Sequence, residues 1–273
     1  MFGKLSTTPT RDGPELSDFF AVILPDQLHA TATIALIGVS FFTSAMTAAV
    51  GLGGGIALIA IMAMIMPASA LVPVHGMVQL GSNAGRAIVQ IKHVDWLIAI
   101  WFACGAIIGA ALGGAIAVEL PAAVLRAGIG CFVIWIVWGK APKFGKARKR
   151  AMAGAGFAST FLSMFFGASG PIGGAVLSTL ELTRHQFVAN QAITAMMMHV
   201  FKVLAFGALG FAFAPWLGLI LLMIASGFLG TLAGTRLLGK MNEKTFKTGF
   251  KWVMTALAVN LFFQAGREWM IGL

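Results

Sequence analysis

Long apolar runs, separated by short breaks rich in glycine, proline or charge, occupy nearly the whole chain after residue 29. Most of these runs approach the roughly 20 residues that an α-helix needs to cross a bilayer. They are continuously apolar rather than alternating, so the pattern predicts membrane helices and not a β-barrel. The first half is expected to contain helices at 30–50, 56–66, 74–91, 96–118 and 122–139, and the second half at 151–166, 172–182, 187–211, 217–238 and 248–264.

Two glycine clusters interrupt the apolar pattern at corresponding places. The first is Gly-Leu-Gly-Gly-Gly at residues 51–55 and the second is Gly-Ala-Ser-Gly-Pro at residues 167–171, and a shift of 116 residues superimposes their first glycines. An unpaired amide inside a bilayer costs several kcal/mol, so such breaks are tolerated where the backbone faces protein, water or a ligand. The helix expected after the first break spans roughly 16 Å, which is half of the hydrocarbon core. We therefore expect a broken or re-entrant helical hairpin in each half.

A second internal match supports a duplication. Residues 105–113 align with residues 226–234 at a shift of 121. Both segments carry a small residue at every fourth position, which lets helices approach closely, and we favour this packing role over direct substrate contact. The matches predict an all-α membrane protein of two inverted repeats, each a broken or re-entrant helical hairpin plus three transmembrane helices.

The expected organisation has five parts. They are an N-terminal lead-in (1–29), a first transmembrane repeat (30–139), a basic cytoplasmic linker (140–150), a second transmembrane repeat (151–265) and a C-terminal tail (266–273). The lead-in lacks the basic-then-apolar pattern of a cleaved signal peptide.

Composition and charge fit a multi-pass membrane protein. Hydrophobic residues make up 59% of the chain and charged residues 10%, against roughly 25% charged in soluble domains. The net charge of +10 comes mainly from the linker and from residues 240–251. Basic clusters beside membrane spans are typical of cytoplasmic loops, so we interpret them as orientation signals and not as a nucleic-acid surface. This orientation places the expected turns at 68–73 and 212–215 outside the cell.

The two cysteines suggest no special chemistry. Cys104 and Cys131 lie inside apolar runs without metal-ligand spacing. We interpret both as small fillers of the helical core, and we expect no metal and no cofactor.

Polar residues within the expected helices are basic or neutral. The nine acidic residues all fall in tails, turns or expected helix ends, which leaves no buried carboxylate to bind a metal ion or an organic cation. Residues three or four apart share a helix face, so the candidates form two polar stripes that would face each other across the repeat axis. They are Gln79, Asn83 and Arg86 in the first half, and Gln191, Thr194, His199 and Lys202 in the second.

Backbone amides at the two breaks complete the candidate site. The positive end of a helix dipole and its free amides bind anions, and arginine suits carboxylate, sulfonate or phosphate oxygens. The candidates at these positions are Gly53, Gly54, Gly55, Ser169 and Gly170. Such amides, combined with cationic side chains and without acids, predict a site for a small oxyanion.

Other interpretations of the basic residues stay open. Arg86 and Lys202 lie within about two turns of expected helix ends, so both could instead extend toward the cytoplasmic interface. For His75, a hydrogen bond between helices is favoured over contact with a ligand.

The Gly-x-Gly-Gly-Gly break, the Gly-x-x-Gly-Pro break, the basic linker and the duplicated layout resemble the TauE/SafE sulfite exporter family of membrane permeases over about residues 30–265. The resemblance implies secondary transport of sulfite, sulfoacetate or related organosulfonates across the bacterial inner membrane. Export by alternating access around a midplane anion site is the expected mechanism. The expected partners are the small anionic substrate and membrane lipids; a homodimer is left open, and nucleic acid is not expected.

Two other functions compete with a carrier. An anion channel also tolerates glycine breaks. An intramembrane serine protease would use Ser169 as nucleophile and His199 as base, but the other break has Gly53 at the position of Ser169, and transport explains a duplicated break better.

The sequence also suggests how transport is driven. Without a buried acid, His199 is the expected proton coupler, because histidine titrates near neutral pH. Export driven by the membrane potential alone would need no coupling ion.

Overall fold

The computed structural model describes residues 25, 27–50, 53–140, 145–167, 170–237 and 243–271, which contain ten α-helices. The helices of the first half are α1 (Ala30–Val50), α2 (Gly54–Ile65), α3 (Ala68–Gln90), α4 (Trp96–Ala117) and α5 (Ala122–Trp138). Those of the second half are α6 (Ala151–Phe166), α7 (Gly170–Leu177), α8 (Arg184–Ala208), α9 (Leu217–Leu237) and α10 (Glu243–Ile271). Two 3-10 turns, Ile91–His93 and Ala214–Trp216, precede α4 and α9.

The all-helical prediction is confirmed for the described residues, which contain no β-strand. Among them, the four helices α1, α4, α8 and α9 are long and apolar enough to cross a membrane. The helix after each glycine break is much shorter, with 12 residues in α2 and 8 in α7. At about 1.5 Å per residue, neither helix is long enough to cross the hydrocarbon core alone.

The start of α3 differs from the sequence prediction. This helix begins at Ala68, directly after Pro67, so the expectation that residues 68–73 form a turn is wrong. Pro73 lies inside the helix. A proline is tolerated there because neighbouring groups in a membrane protein can satisfy the backbone carbonyl that its ring leaves free.

Two helices of the second half also differ in length from the prediction. α7 ends at Leu177 instead of residue 182, because the hydroxyls of Ser178 and Thr179 donate to carbonyl oxygens three residues earlier and close a turn. α10 is longer than the expected 248–264 at both ends. Its last two turns contain polar residues that favour helix, so most of the expected C-terminal tail is helical.

Side-chain caps fix where α4 and α8 begin. The Asp95 carboxylate accepts hydrogen bonds from the amides of Leu97 and Ile98, at 3.1 and 3.4 Å. Thr183 and Gln186 form a reciprocal capping box at the start of α8. Such caps satisfy amides that the first helical turn leaves free.

The most extensive packing joins helices of opposite halves, with α4 along α6 and α1 along α9. A Cβ atom built on Gly109 of α4 would lie 2.5 Å from the carbonyl oxygen of Phe157, and one on Gly113 would lie 3.0 Å from that of Phe161. The backbones are therefore too close for larger residues. The prediction that the small-residue rows serve close helix packing is confirmed.

The contacts of these two helix pairs recur residue by residue. In the pair α4 and α6, Gly105, Gly109 and Gly113 lie against the backbone of Ala153, Phe157 and Phe161. In the pair α9 and α1, Ser226, Gly230 and Gly234 lie against the backbone of Ile37, Phe41 and Ala45. The α9 residues are those of α4 shifted by 121 positions, and the α1 residues are those of α6 shifted by 116.

The third helices of the two halves, α3 and α8, pack antiparallel. The amide of Asp95, just after α3, donates to Asn190 Oδ1 near the start of α8 at 3.2 Å. Gly76, near the start of α3, lies against the side chain of Lys202 in the later part of α8. The two expected polar stripes are therefore on neighbouring helices.

The fifth helices, α5 and α10, are also antiparallel neighbours. Trp138, at the end of α5, donates from Nε1 to the hydroxyl of Thr255 in the first half of α10 at 2.9 Å. Arg126, near the start of α5, forms an ion pair with Glu268 near the end of α10. α5 and α10 thus run in opposite directions, as α3 and α8 do.

The short helix α2 lies at the centre of the apolar core. Ile59 and Met62 are fully buried, among residues from α3, α5 and α10. The cysteines lie elsewhere: Cys104 and Cys131 are exposed on their helices, so their interpretation as core fillers is wrong. Apolar residues on a membrane helix can face lipid as well as the core, and the sequence does not distinguish these two faces.

Candidate functional site

Lys202 of α8 reaches the second glycine break. Its side chain is 0% exposed, and its ammonium donates to the carbonyl oxygen of Gly167 at 2.7 Å. Gly167 follows the last residue of α6 and has a φ of +73°, a conformation that favours glycine. The ammonium therefore lies at the negative end of the α6 dipole. It does not extend to the cytoplasmic interface.

His75 of α3 lies between the two glycine breaks. Its Nε2 atom is 3.1 Å from the carbonyl oxygen of Gly55 in the first break. A Cβ atom built on Gly167 in the second break would lie 3.1 Å from His75 Nδ1 and 2.6 Å from Ile59 Cγ1 of α2. The favoured interpretation of His75 as a hydrogen-bonding residue is confirmed, and it places the two breaks on either side of one imidazole ring.

His199 of α8 completes a cluster of nitrogen-containing side chains. Its ring is buried, with a centroid 6.2 Å from that of His75 at an angle of 69°. Three acidic residues of the described chain, Asp95, Glu181 and Glu268, form ion pairs with basic residues other than Lys202. The cluster of Lys202, His75 and His199 is thus positively charged or neutral, and we refer to it as the basic cluster.

Several buried polar atoms near the second break have no hydrogen-bond partner among the described residues. They include His199 Nδ1, Thr160 Oγ1, Ser163 Oγ and Gln191 Oε1. Thr160 and Ser163 lie on α6 within two turns of Gly167 and are fully buried. Leaving such groups unpaired costs about 1–3 kcal/mol each. Groups of this kind are what a bound polar ligand or water would satisfy.

The polar stripe of α3 continues from the basic cluster toward the basic linker. Asn83 is buried and its Nδ2 donates to the carbonyl oxygen of Gln79 at 2.7 Å. Arg86 donates from Nη2 to Asn83 Oδ1 at 2.5 Å, and its side chain is exposed. These three expected site residues therefore form a chain of contacts along one helix face.

The polar stripe of α8 faces two different neighbours. Gln191 lies over Gly174 of α7, where an added Cβ atom would be 2.9 Å from Gln191 Oε1. Thr194 is buried and its hydroxyl donates to the carbonyl oxygen of Asn190 in its own helix at 2.7 Å. Gln191 is therefore next to the helix that follows the second break, whereas the Thr194 hydroxyl is already paired.

The glycines of the first break have different surroundings. Gly53 has a φ of +100° and precedes α2. An added Cβ atom there would lie 2.8 Å from the ring of Phe250, and one on Gly54 would collide with Thr43 and Thr47 of α1. Gly53 and Gly54 thus permit a turn and close packing, and Gly55 is the glycine that contacts the basic cluster.

In the second break, Gly170 is the first residue of α7 and has open space where a side chain would be. Ser169, an expected site residue and the nucleophile of the protease hypothesis, lies outside the described residues, as does residue 51 of the first break.

A cleft of about 440 Å³ opens at the end of the molecule opposite the basic linker. Its walls are mainly apolar and come from the start of α3 and the ends of α4 and α8. Met164, three residues before Gly167, and Phe206, four residues after Lys202, both line it. The cleft therefore ends within about one helical turn of the basic cluster, on the side that the charge pattern predicts to be outside the cell.

Sequence reasoning did not single out Arg126 or the hydroxyls of α6. Arg126 is 9% exposed and donates from Nε to the carbonyl oxygen of Ala63 at 3.0 Å, near the end of α2. A positive charge at this position interacts favourably with the negative end of the α2 dipole. The signal in the sequence was a lone arginine inside an apolar run. The α6 hydroxyls had a subtler signal, since Thr160 and Ser163 match Ser44 and Thr47 at the 116-residue shift.

Metal binding by the described residues has no support from side-chain clustering, because no group of three or more His, Cys, Asp or Glu residues is found there.

Comparison with known proteins identifies a family. A family model described as Sulfite exporter TauE/SafE matches residues 36–261 of the chain. Neither the curated proteins nor the solved structures contain a match. The matched segment includes both glycine breaks and every residue of the basic cluster.

Proposed function

Because the chain belongs to the sulfite exporter TauE/SafE family, we propose that it exports small sulfur-containing anions across the bacterial inner membrane by alternating access. Sulfite, sulfoacetate and related organosulfonates form the proposed substrate class. The observation that carries the proposal is the basic cluster at the second glycine break, where Lys202 is buried without an acidic partner among the described residues.

The charge of the cluster favours an anion over a cation. A buried positive charge is costly unless an opposite charge or several hydrogen bonds compensate it. The described surroundings of Lys202 supply one carbonyl oxygen and the imidazole rings of His75 and His199, both close enough to interact electrostatically with the ammonium. A sulfonate or sulfite group would supply both the missing charge and acceptor oxygens for the unpaired hydroxyls of Thr160 and Ser163.

Two observations support a pair of inverted repeats. The contacts between α4 and α6 recur between α9 and α1 at constant sequence shifts. The corresponding helices α3 and α8, and likewise α5 and α10, are antiparallel. A repeat whose copy runs in the opposite direction allows two equivalent states, one open to each side of the membrane.

The basic cluster lies where such a rearrangement would act. α2 and α7 restart after the breaks, and His75 contacts the first break while Lys202 contacts the second. In our proposal the anion reaches the cluster from the cytoplasm along the stripe of Arg86 and Asn83, and leaves through the apolar cleft. An inside-negative potential of 100 mV favours the exit of each negative charge by about 2.3 kcal/mol.

The family favours a transporter over the protease hypothesis, since its members are described as exporters. A channel remains the main competitor. Saturable exchange of labelled anion across the membrane distinguishes a carrier from a channel.

Ligand binding tests the proposed site. The Tm of the purified wild type is measured without ligand and with sulfite, sulfoacetate, taurine, sulfate, phosphate or acetate. The same measurements are made on the Lys202→Gln and Lys146→Ala variants. A ligand at 100 times its Kd stabilises a protein by about 2.7 kcal/mol. We expect one sulfur anion to raise the Tm of the wild type and of Lys146→Ala, whose changed lysine is exposed and pairs with Glu181. If the anion raises the Tm of Lys202→Gln as much as that of the wild type, Lys202 is not part of the anion site.

A further inference from the structure

The surroundings of Lys202 leave its ammonium incompletely paired. An ammonium has three N–H donors, and a single hydrogen bond, to the Gly167 carbonyl oxygen at 2.7 Å, is formed among the described residues. The aliphatic part of the side chain fits against Gly76 of α3, where a Cβ atom would be 2.7 Å from Lys202 Cδ. The packing thus holds the ammonium at the break without giving it an opposite charge.

The titratable side chains on the helices around Lys202 are either basic or far from its ammonium. α3 contributes His75 and Arg86, and α8 contributes His199 beside the ammonium, with Arg184 and His185 at its far end. The turn before α4 contributes Lys92, His93 and Asp95. His93 stacks on His185, and Asp95 lies near the start of α8, where its carboxylate pairs with Lys149. α6 and α7 contain no titratable side chain, and Cys104 of α4 is exposed on the outer surface.

Such an environment links proton binding to anion binding. Burial without a counter-charge disfavours the ammonium form of a lysine, and a nearby opposite charge favours it. An anion at the basic cluster therefore favours protonation of Lys202, and protonation in turn favours anion binding by the same factor. Resting on the proposed function, we propose that Lys202 is the proton carrier of the transport cycle, taking up one proton with each anion and releasing it with that anion.

The hydrogen bond to Gly167 gives protonation a structural effect. A hydrogen bond from a charged donor is about twice as strong as one from a neutral donor. Loss of the proton weakens the contact between α8 and the end of α6, which is the break that alternating access would move. Among the described residues, Lys202 donates a hydrogen bond to the second break and His199 Nδ1 has no hydrogen-bond partner, so we assign the coupling to Lys202 instead of His199.

The proton balance of a cycle is then fixed. A doubly charged anion such as sulfoacetate leaves with one proton, which passes to water outside, and the net charge moved is one negative charge. The empty carrier returns with a neutral Lys202. Export still runs in the direction that an inside-negative potential favours.

The potential at which net flux stops measures this balance. Wild-type protein in liposomes is given a tenfold gradient of labelled sulfoacetate at equal pH, and the potential is set with potassium and valinomycin. One net charge per anion predicts zero flux at about 59 mV, and two charges predict about 30 mV. A pH difference of one unit should shift the coupled value by about a further 59 mV. A wild-type value near 30 mV that ignores the pH difference overturns the inference.

Two variants locate the proton. Lys202→Arg keeps a permanent positive charge, so it should retain exchange of labelled anion but lose the response to the pH difference. His199→Gln, whatever its rate, should keep the full response. Loss of the response in His199→Gln, or its retention in Lys202→Arg, contradicts the assignment. If Lys202→Arg does not fold, the inference is still tested by two results. It is overturned by a wild-type potential of about 30 mV that ignores the pH difference, or by loss of the pH response in His199→Gln.

Exchange of labelled sulfite separates this inference from the proposed function. If the wild type exchanges neither sulfite nor sulfoacetate, both the proposed function and the proton-carrier inference are wrong. A wild type that exchanges sulfite alone keeps the proposed function, and the pH response is then compared between wild type and Lys202→Arg with sulfite. Because titration of sulfite itself is common to both proteins, equal responses overturn the proton-carrier role of Lys202.

Discussion

The Nε2 atom of His75 lies 3.1 Å from the carbonyl oxygen of Gly55, which ties α3 to the first glycine break. The contact is buried, since His75 is 0% exposed. A buried hydrogen bond of this kind contributes about 0.5–1.5 kcal/mol. His75→Leu should therefore lower the free energy of unfolding by about 1 kcal/mol, measured by thermal unfolding in detergent. His29→Leu changes an exposed histidine and should have an effect below about 0.5 kcal/mol. Equal effects of the two changes would show that the contact does not stabilise the protein.

Gly76 provides a way to move Lys202 without removing it. In Gly76→Ala the new methyl group would meet Lys202 Cδ at 2.7 Å, and the flexible lysine must shift. We expect Gly76→Ala to bind the sulfur anion that stabilises the wild type more weakly, with a Kd at least tenfold higher. Gly85→Ala lies on the same helix with open space around it, and the better helix propensity of alanine should stabilise it by up to about 1 kcal/mol. An unchanged Kd in Gly76→Ala would separate Lys202 from anion binding.

The recurring helix contacts predict matched effects in the two halves. Gly109→Ala would meet the backbone of Phe157, and Gly230→Ala the backbone of Phe41, so neither helix pair can adjust by moving a side chain alone. Each change should lower stability by about 1–3 kcal/mol. Gly154→Ala on α6 has no atom within 4 Å of the added carbon and serves as the control. A large effect of Gly109→Ala with none from Gly230→Ala would contradict the equivalence of the two helix pairs.

Asp95 gives a pH-dependent contribution to stability at the membrane edge. Burial acts to raise the pKa of its carboxyl, but the hydrogen bond and charge of Lys149, with the amides of Ile98 and Leu97, lower it overall below the usual 3.8. A lowered pKa in the folded state stabilises the fold above pH 3.8, and this contribution is lost as the pH falls through the folded value. Asp95→Asn retains an oxygen that can cap α4 but loses the charge.

The Tm difference between wild type and Asp95→Asn should therefore be constant above about pH 5 and shrink below pH 3.8. A difference that grows as the solution becomes more acidic would reverse the sign of the proposed ion-pair contribution.

The sequence was most informative where backbone chemistry is most restrictive. Gly53, in the middle of the first predicted break, and Gly167, at the start of the second, both have positive φ angles. Few residues other than glycine adopt this conformation, so glycine clusters mark such positions in the sequence. The small-residue rows predicted close packing because only small side chains fit between touching backbones, as Gly109 and Gly230 show. Pro73 misled the prediction of α3, since a proline usually marks a helix boundary in water but is tolerated inside a membrane helix.

The site was less predictable, because the sequence shows which residues share a helix face but not which element packs against that face. The stripe on α8 included both Lys202 and Thr194, yet Lys202 reaches Gly167 on another element while Thr194 is paired within its own helix. His75 was underweighted because its partners are 20 residues away and in the other half of the chain. Arg126 was missed because its contacts with Ala63 and Glu268 depend on long-range packing.

Exchange of labelled anion in liposomes tests the existence of a carrier with its site at Lys202 most directly. Unlabelled sulfite or sulfoacetate inside the vesicles should accelerate entry of the same labelled anion, and the rate should saturate. Lys146→Ala should behave like the wild type, and Lys202→Gln should lose at least nine-tenths of the exchange, because the anion loses its buried counter-charge. Flux that neither saturates nor responds to internal anion would indicate a channel, and full exchange by Lys202→Gln would place the anion site elsewhere.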